Sequence, residues 1–359
     1  MKICFLGMEN LAVLAPRHSR HAVFGADAVQ QALLARALAR RGHEVSTVVA
    51  DGGQHDGALW DSIRAVKANA RWGGTWSALA RADADLYYTS GAGPHVGLLA
   101  LFCARHRRRF AVRAAAGARR PSRLYRLGLR RAHAVLAQDE AHRQVLARRY
   151  RVRSRVTLPL VEPAGAAAAR DIDLLWVGRL AGAKRPDRAL SFARRLPLAR
   201  VAMAGGPQPG EEVLFREIRR MAEDVPNLGF HGPLPYAEAH ALFARAKLLL
   251  GTWDDAHLPH AYLQAWARGV PVAALADPGG VIAREGLGVV ADSPCRLLEA
   301  VPALLEDAGA WRAASVNCTH YMEREYGEAR VLRAYLAAFD EALGGGVPAA
   351  GAPGAVAHA

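Results

Sequence analysis

The sequence DLLWVGRLAGAKRPDRALSFARRLPLARVAMAGG (residues 173–206) predicts a strand, a turn, a helix and a second strand that ends in two glycines. The apolar run 174–177 is typical of a buried parallel strand, and Pro186 favours the first position of a helix because its φ is fixed. Arg179 and Lys184 lie in the turn between them. A helix start offers unpaired N–H groups and partial positive charge, and open α/β sheets bind ligands at the carboxyl ends of their strands. The segment therefore predicts a phosphate-binding turn without a Walker motif.

Short apolar strands alternate with helices along the rest of the chain. In the first half, strands are predicted at 2–7, 44–50, 63–66, 85–89, 110–114, 134–137 and 155–158. In the second half, they are predicted at 174–177, 200–204, 228–230, 248–250, 271–275 and 289–290. Residues 9–24 are predicted to form a loop, and the chain from residue 295 to about 343 is predicted to be helical. This alternation predicts an α/β protein with parallel, doubly wound sheets.

The 359 residues are enough for about two domains. The stretch EPAGAAAAR (162–170) consists mostly of small residues without periodicity and predicts a linker. The first domain is therefore expected to span 1–162 and the second 163–320, and the composition of residues 344–359 predicts a disordered tail. The segment 1–8 is too short for a signal peptide, and no apolar run approaches the roughly 18 residues of a membrane span. We therefore expect a cytoplasmic protein.

Neither cysteines nor acidic pairs suggest a metal site. No C-x-x-C spacing connects the four cysteines, which favours reduced thiols over a zinc site or disulfide bonds; they are Cys4, Cys103, Cys295 and Cys318. Two D-x-D pairs lie at the beginnings of predicted strands, the wrong edge of an α/β sheet for a ligand; they are Asp83 with Asp85 and Asp171 with Asp173. The sequence therefore predicts no metal and no cofactor.

Basic residues are concentrated in the first half of the chain. Residues 1–165 contain 27 Lys and Arg against 11 Asp and Glu, whereas the remaining residues contain 20 against 22. No acidic residue occurs from Ala104 to Gln138. Compositional drift in an arginine-rich chain is one explanation. The other is a negatively charged partner, such as an anionic membrane surface, a phosphorylated substrate or a nucleic acid.

Four segments resemble glycosyltransferase family 4: VGRLAGAK (177–184), VAMAGGP (201–207), NLGFHGPLP (227–235) and QAWARGVPV (264–272). The segment FGADAVQQALLARALARRGHEV (24–45) is similar to the glycine loop and helix of that family, so the likeness covers most of the chain. The resemblance implies the GT-B fold, in which two Rossmann-like domains with parallel sheets face each other and the second holds a nucleotide-sugar donor. It also implies that the last helix, 321–343, crosses back to the first domain.

The same resemblance assigns roles to individual residues. Arg179 and Lys184 would be the catalytic pair that neutralises the departing diphosphate, which agrees with the general stabilisation of developing charge by preorganised cations. The donor-binding residues would be Gly178, Gly205, Gly206, Gly232, Leu234, His257, Leu258 and Gln264. The acceptor-side loop would contain Gly25, Gly91 and His95. The alternatives are a solvated surface pair for the two cations, ordinary strand-ending turns for the glycines, and a satisfied helix-terminal amide for Gln264.

Two positions depart from the family pattern. The family has two glutamates separated by seven residues, and this chain has Ala256 and Gln264 there. The polar residues that could replace the first glutamate are Asp254, Asp255 and His257. The family often has a histidine after the strand 110–114, where this chain has Ala115, and the remaining candidates are His18, His21 and His95. We therefore expect retained donor binding and slow catalysis.

The sequence thus predicts a cytoplasmic, membrane-peripheral and metal-independent hexosyltransferase. It would move a sugar from a nucleotide-diphosphate donor to a glycan, lipid-linked or small-molecule acceptor with retention of configuration. One alternative is a non-catalytic partner protein that binds a nucleotide sugar, as Ala115 and Ala256 suggest. A nucleic-acid-binding protein is supported by charge alone, without a recognition motif, so nucleic acid is not an expected partner. A sugar-nucleotide epimerase would need a paired acid and base, which the sequence does not show.

Overall fold

The computed structural model describes residues 1–18, 25–69, 73–115, 122–162, 164–165, 168–253 and 258–344. The first part contains strands β1 (Lys2–Leu6), β2 (Glu44–Ala50), β3 (Leu59–Trp60), β4 (Ile63–Ala68), β5 (Leu86–Gly91), β6 (Arg109–Ala114), β7 (Ala134–Ala137) and β8 (Arg155–Val156). Its helices are α1 (Asn10–Leu14), α2 (Ala26–Arg40), α3 (Gly74–Ala82), α4 (His95–His106), α5 (Arg123–Arg131) and α6 (Glu140–Tyr150).

The second part begins with the strand and the helix that are connected by the basic turn, which contains Arg179 and Lys184. Its strands are β9 (Ile172–Val177), β10 (Val201–Ala204), β11 (Leu228–Gly232), β12 (Ala246–Gly251), β13 (Val272–Ala274) and β14 (Gly288–Val290). Its helices are α7 (Pro186–Arg195), α8 (Glu212–Glu223), α9 (Tyr236–Arg245), α10 (His260–Trp266), α11 (Val281–Glu285), α12 (Pro294–Glu306), α13 (Ala308–Tyr326) and α14 (Glu328–Leu343).

The strands form two sheets. The first has the order β3-β4-β2-β1-β5-β6-β7-β8, and the second has the order β11-β10-β9-β12-β13-β14. Neighbouring strands are parallel in both sheets except β3 and β4, which pair antiparallel. The predicted α/β class with two Rossmann-like domains and parallel sheets is confirmed.

Successive residues of β1 pack in two different hydrophobic cores, one on each face of the first sheet. Ile3 and Phe5 pack in the layer that contains α2 and α14, whereas Cys4 and Leu6 pack in the layer that contains α3 and α4. Period-two alternation places neighbouring side chains on opposite sheet faces, and both faces of this sheet are covered by helices. A continuous apolar run is therefore required, which is why the strand was recognisable in the sequence.

The last helix, α14, packs against the first sheet. Tyr335 and Phe339 are buried, and their ring centroids lie 6.4 and 5.6 Å from that of Tyr88 on β5. Fully burying a side chain of this size contributes about 1.5–3 kcal/mol relative to leaving it exposed. The chain therefore returns from the second sheet and completes the core of the first.

One prediction about local structure was wrong. Residues 10–14 form α1 rather than a loop, because the Asn10 amide donates to Gln31 and to Thr47 while the helix buries its apolar residues. The chain from residue 295 to 343 is helical as predicted, and it is divided into three helices. The Asp307 carboxylate accepts the N–H groups of Gly309 and Ala310 and so begins α13, and α14 begins after Gly327. The predicted tail, apart from Gly344, and part of the predicted linker lie outside the described residues.

Candidate functional site

The basic turn after β9 is fixed by main-chain contacts. The N–H of Leu180 donates to the carbonyl of Gly206 (2.8 Å), and the carbonyl of Leu180 accepts from Gln208 (3.1 Å). A short 3₁₀ turn, Gly182–Lys184, then leads to Pro186 at the first position of α7. Arg179 and Lys184 therefore lie between the carboxyl end of a central strand and the start of a helix, as the sequence predicted.

Gly205 brings three strand ends together. A Cβ on this residue would lie 1.7 Å from the carbonyl oxygen of Gly178, and its φ is +153°. Its N–H also donates to the carbonyl of Gly232 (2.8 Å). No residue with a Cβ fits this approach, so the fold alone requires glycine here. The contacts of Gly178, Gly205, Gly206 and Gly232 with a nucleoside stay predictions.

Arg179 lines a cavity of about 400 Å³ that it shares with the first domain. The cavity also contains Gly25, Gly91 and His95, which are the three residues of the predicted acceptor-side loop. Two acidic residues, Glu9 and Asp27, complete this wall. The structure thus places a cation of the second domain and the acceptor-side residues of the first domain around one cleft.

The first-domain wall of the cleft is held by hydrogen bonds. The Glu9 carboxylate accepts the N–H of Gly25 (3.0 Å), which is the residue before α2. Nε2 of His95 lies 2.9 Å from the carbonyl oxygen of Ser90. A carbonyl can only accept, so Nε2 carries the proton and the neutral ring has its lone pair on Nδ1. His95 therefore donates a hydrogen bond to the end of β5, and this contact favours a structural role over a catalytic one.

Asp27 was missed by the sequence analysis. It lies in the first turn of α2, where the helix dipole favours a negative charge. Its Oδ2 is 3.4 Å from the position that a Cβ on Gly91 would take, so the carboxylate lies against the end of β5. The available signal was an acidic residue two positions after Gly25, in the segment that resembles the family's glycine loop and helix.

Lys184 is braced by the residues that follow β12. The hydroxyl of Thr252 donates to the Lys184 carbonyl (2.8 Å) and accepts from the Trp176 indole N–H (2.9 Å). Nζ of Lys184 lies 5.0 Å from the centroid of the Trp253 ring, which is a cation–π distance. Trp253 is 2% exposed, and its indole N–H has no hydrogen-bond partner among the residues that the structure describes. The end of β12 thus fixes both the main chain and the ammonium group of Lys184.

Replacing Trp253 with leucine should weaken nucleotide-diphosphate binding about two- to thirtyfold, because a cation–π contact contributes about 0.5–2 kcal/mol to holding the cation. Titration calorimetry with UDP measures the change. Trp253→Phe is the matched control, since it keeps an aromatic face below Lys184 and should retain most of the affinity. Equal affinity for Trp253→Leu and the natural protein, with both folded by circular dichroism, would contradict this role.

The remaining donor-binding candidates differ in their surroundings. Gln264 is 4% exposed, and its side-chain oxygen accepts a hydrogen bond from Arg268 (3.1 Å). This oxygen is therefore bonded to another residue of the protein in the structure. Leu234 and Leu258 are half-buried and pack against the second core. His257 lies outside the described residues, as do Asp254, Asp255, Ala256 and His21. Ribose or phosphate contacts of these residues stay predictions.

A polar contact joins the two domains beside the cleft. The Gln30 amide donates to the Leu160 carbonyl and accepts the Leu160 N–H, both at 2.8 Å. This pairing fixes its amide, and Nε2 also lies 2.6 Å from Nε2 of His260 on α10. Nε2 of His260 must therefore accept, which requires a neutral ring. Burial, together with the charge of Arg113, lowers the pKa of His260 to about 4.

The four D-x-D carboxylates lie at the opposite edge of the sheets and have partners there. Asp83 pairs with Arg108, and Asp85 accepts the N–H of Lys2. Asp171 pairs with Arg245, and Asp173 pairs with Lys247. Within the described part of the chain, no three His, Cys, Asp or Glu side chains are grouped closely enough to hold a metal ion. Metal independence stays a prediction.

Comparison with solved structures shows the GT-B fold. No family model and no curated protein sequence matches the chain. Sucrose-phosphate synthase from Thermosynechococcus elongatus is 14% identical, with a TM-score of 0.71 over 94% of this chain and 98% of that one. HepE from Anabaena, solved with UDP and glucose, is 14% identical, with a TM-score of 0.69 over 95% and 99%. WaaG, a glycosyltransferase involved in lipopolysaccharide biosynthesis, is 18% identical, with a TM-score of 0.60 over 96% and 100%.

Across the described ranges, none of the helices combines the length and the apolar character that crossing a membrane requires.

Proposed function

We propose that the protein is a nucleotide-sugar-dependent glycosyltransferase of the family 4 type. The observation that carries the proposal is the position of Arg179, which follows a central strand of the second domain and lines a cleft with Gly25, Gly91 and His95 of the first. A cation at the carboxyl edge of a parallel sheet is suited to a diphosphate. The similar structure of HepE contains UDP and glucose, which supports the same ligand class here.

The cleft can perform the transfer without a protein nucleophile. Arg179 and Lys184 would neutralise the negative charge that develops on the β-phosphate as the bond between it and the sugar breaks. The acceptor oxygen would attack the same face of the sugar and pass its proton to the departing phosphate, which retains the configuration. Asp27 and Glu9, on the first-domain wall, would accept hydrogen bonds from acceptor or sugar hydroxyls.

The finer assignments belong to the same proposal. A hexosyl group is the expected cargo, and a glycan, a lipid-linked sugar or a small molecule is the expected acceptor. No metal is required, since the two side-chain cations supply the positive charge that a metal would otherwise provide. Arg179 and Lys184 act directly on the leaving group.

A non-catalytic protein that binds a nucleotide sugar is the second candidate. Ala115 follows β6 at the position where the family often has a histidine. Among the described residues, the histidine that lines the cleft is His95, and its Nε2 contacts the carbonyl of Ser90. Sugar orientation would then rest on main-chain groups and on the carboxylates of Asp27 and Glu9. Losing a sugar-hydroxyl contact costs a few kcal/mol, which lowers a rate by orders of magnitude without abolishing it.

Donor hydrolysis and thermal stabilisation, measured over a panel of nucleotide sugars, distinguish the two candidates. A transferase should hydrolyse one donor slowly, and Ala256→Glu should increase turnover or sugar selectivity because it restores the first family glutamate. Ala256→Gln is the matched control without a negative charge. Nucleotide binding without turnover for any donor, with lipid and glycan acceptors present, would identify the non-catalytic protein.

Association with an anionic membrane would bring lipid-linked acceptors to the cleft. The helices α4 and α5 carry exposed arginines, such as Arg105 and Arg126, and the leucines Leu101 and Leu124 are 47% and 42% exposed. Each basic residue near an anionic surface contributes about 1 kcal/mol. Co-sedimentation with anionic vesicles should therefore fall in Arg105→Ala/Arg126→Ala and at high salt, and not in Arg216→Ala/Arg219→Ala. Equal binding to neutral vesicles would contradict it.

A further inference from the structure

A second cavity lies at the opposite edge of the first sheet from the cleft. It has a volume of about 560 Å³ and lies where β7 and β8 begin. The end of α5, the loop 151–155 and the last turns of α14 form its walls. This size falls within the range of roughly 300–1,000 Å³ that small-molecule sites have.

The walls of this cavity carry excess positive charge. Four arginines line it, and Arg155 pairs with Glu341 (2.9 Å). Within the described ranges, the other three show no ion pair or hydrogen bond through their side chains; they are Arg130, Arg151 and Arg153. The carboxyl-terminal ends of α5 and α6 also point to this edge, and each offsets about half a positive charge. About two positive charges therefore remain uncompensated.

Neutral donors complete the lining. The hydroxyl oxygen of Ser154 is buried and has no hydrogen-bond partner within the described part of the chain. Leaving such a group unsatisfied costs about 1–3 kcal/mol. His133 accepts the N–H of Phe110 at its Nδ1, so its Nε2 carries the proton. Burial and the charge of Arg109 lower the pKa of His133, which keeps this ring neutral at pH 7.

One arginine of the cavity is placed at some conformational cost. Arg151 follows α6 with a φ of +56°, in the left-handed region that glycine adopts most easily. A glycine would end the helix without this cost. The chain instead has an arginine there, which lines the same cavity as Ser154.

We propose that this cavity binds a phosphomonoester. A phosphomonoester carries about −1.5 to −2 charges at pH 7 and three strong acceptor oxygens, which match the charge and the donors of the cavity. The ester is either a soluble molecule or the head group of a lipid. The site is separate from the cleft and does not depend on the proposed transferase activity.

Two probes with the same head-group chemistry distinguish the sources: glycerol 3-phosphate in solution and phosphatidic acid in phosphatidylcholine vesicles. Binding is measured by calorimetry for the first and by co-sedimentation for the second, with the full chain. Arg151→Ala/Arg153→Ala should weaken binding of at least one probe tenfold or more. Ser154→Ala, which leaves the charge unchanged, should weaken the same probe about fivefold.

Matched variants control for charge and for the cleft. Arg219→Ala/Arg220→Ala removes the same charge from the exposed surface of α8 and should leave the affinity unchanged. Arg179→Ala/Lys184→Ala should also leave it unchanged, because the cleft is a different site. Weaker binding of glycerol 3-phosphate in Arg151→Ala/Arg153→Ala identifies a soluble ligand. Weaker binding of the phosphatidic acid vesicles alone identifies a lipid head group. Unchanged binding in Arg151→Ala/Arg153→Ala, equal loss in a control variant, or no binding of either probe would overturn the proposal.

Discussion

Replacing Arg179 or Lys184 with alanine should weaken nucleotide-diphosphate binding about ten- to hundredfold in each case, because a hydrogen bond to a charged group contributes about 1.5–3 kcal/mol. Arg179 lines the cleft, and Lys184 is held by Thr252 and Trp253. The Lys184 group is fixed before the ligand arrives, so little binding energy is lost in ordering it. Calorimetry with UDP measures each affinity, and donor turnover should fall further, since charge increases in the transition state.

Arg195→Ala is the matched control for this experiment. Arg195 is exposed at the far end of α7, so its loss removes one positive charge from the same helix without touching the turn. Affinity should be unchanged there. If Arg179→Ala and Lys184→Ala bind UDP as tightly as the natural protein, the turn does not hold the diphosphate. Loss of binding in both variants with no activity in any form would instead support the non-catalytic protein.

The structure of the basic turn was predictable because its signals are local. Pro186 is the first residue of α7, as the sequence predicted, and β9 contains the predicted apolar run 174–177. Residues 44–50 and 134–137 also form strands as predicted, because strands covered on both faces leave recognisable apolar runs. α1 has only five residues, which is too short for a 3.6-residue period to be recognised.

The composition of the site was only partly predictable, because it depends on contacts between distant residues. Gly25, Gly91 and His95 were assigned by resemblance and do share a cavity with Arg179. Asp27 was missed because its importance depends on the cavity that it shares with Arg179, which lies in the other domain. Trp253 was missed for a similar reason: it lies 69 positions after Lys184, and only the pairing of β12 with β9 brings them together. Hydrophobic periodicity cannot distinguish such an indole from an ordinary core residue.

Acid should destabilise the protein through the contact between the domains, and His260 should account for about 3 kcal/mol of the loss between pH 7 and pH 4. The ring has a pKa of about 4 in the folded chain and about 6.5 when unfolded. The unfolded state therefore binds the proton first as the pH falls. The stabilising contribution is complete above pH 6.5 and is lost towards pH 4. The burial of His240 on α9 also lowers its pKa, to about 3, and adds to the same trend.

His260→Gln isolates this contribution, because a glutamine oxygen can accept from Gln30 and does not titrate. The free energy of unfolding in urea, measured at pH 7 and pH 4, should fall less in this variant by about 3 kcal/mol. Carboxylates titrate in the same range in both proteins, so only the difference between the variants is informative. His320→Gln, at an exposed position of α13, should behave like the natural protein. Identical acid dependence in all three proteins would show that His260 is protonated without cost, and that the Gln30 contact does not require a neutral ring.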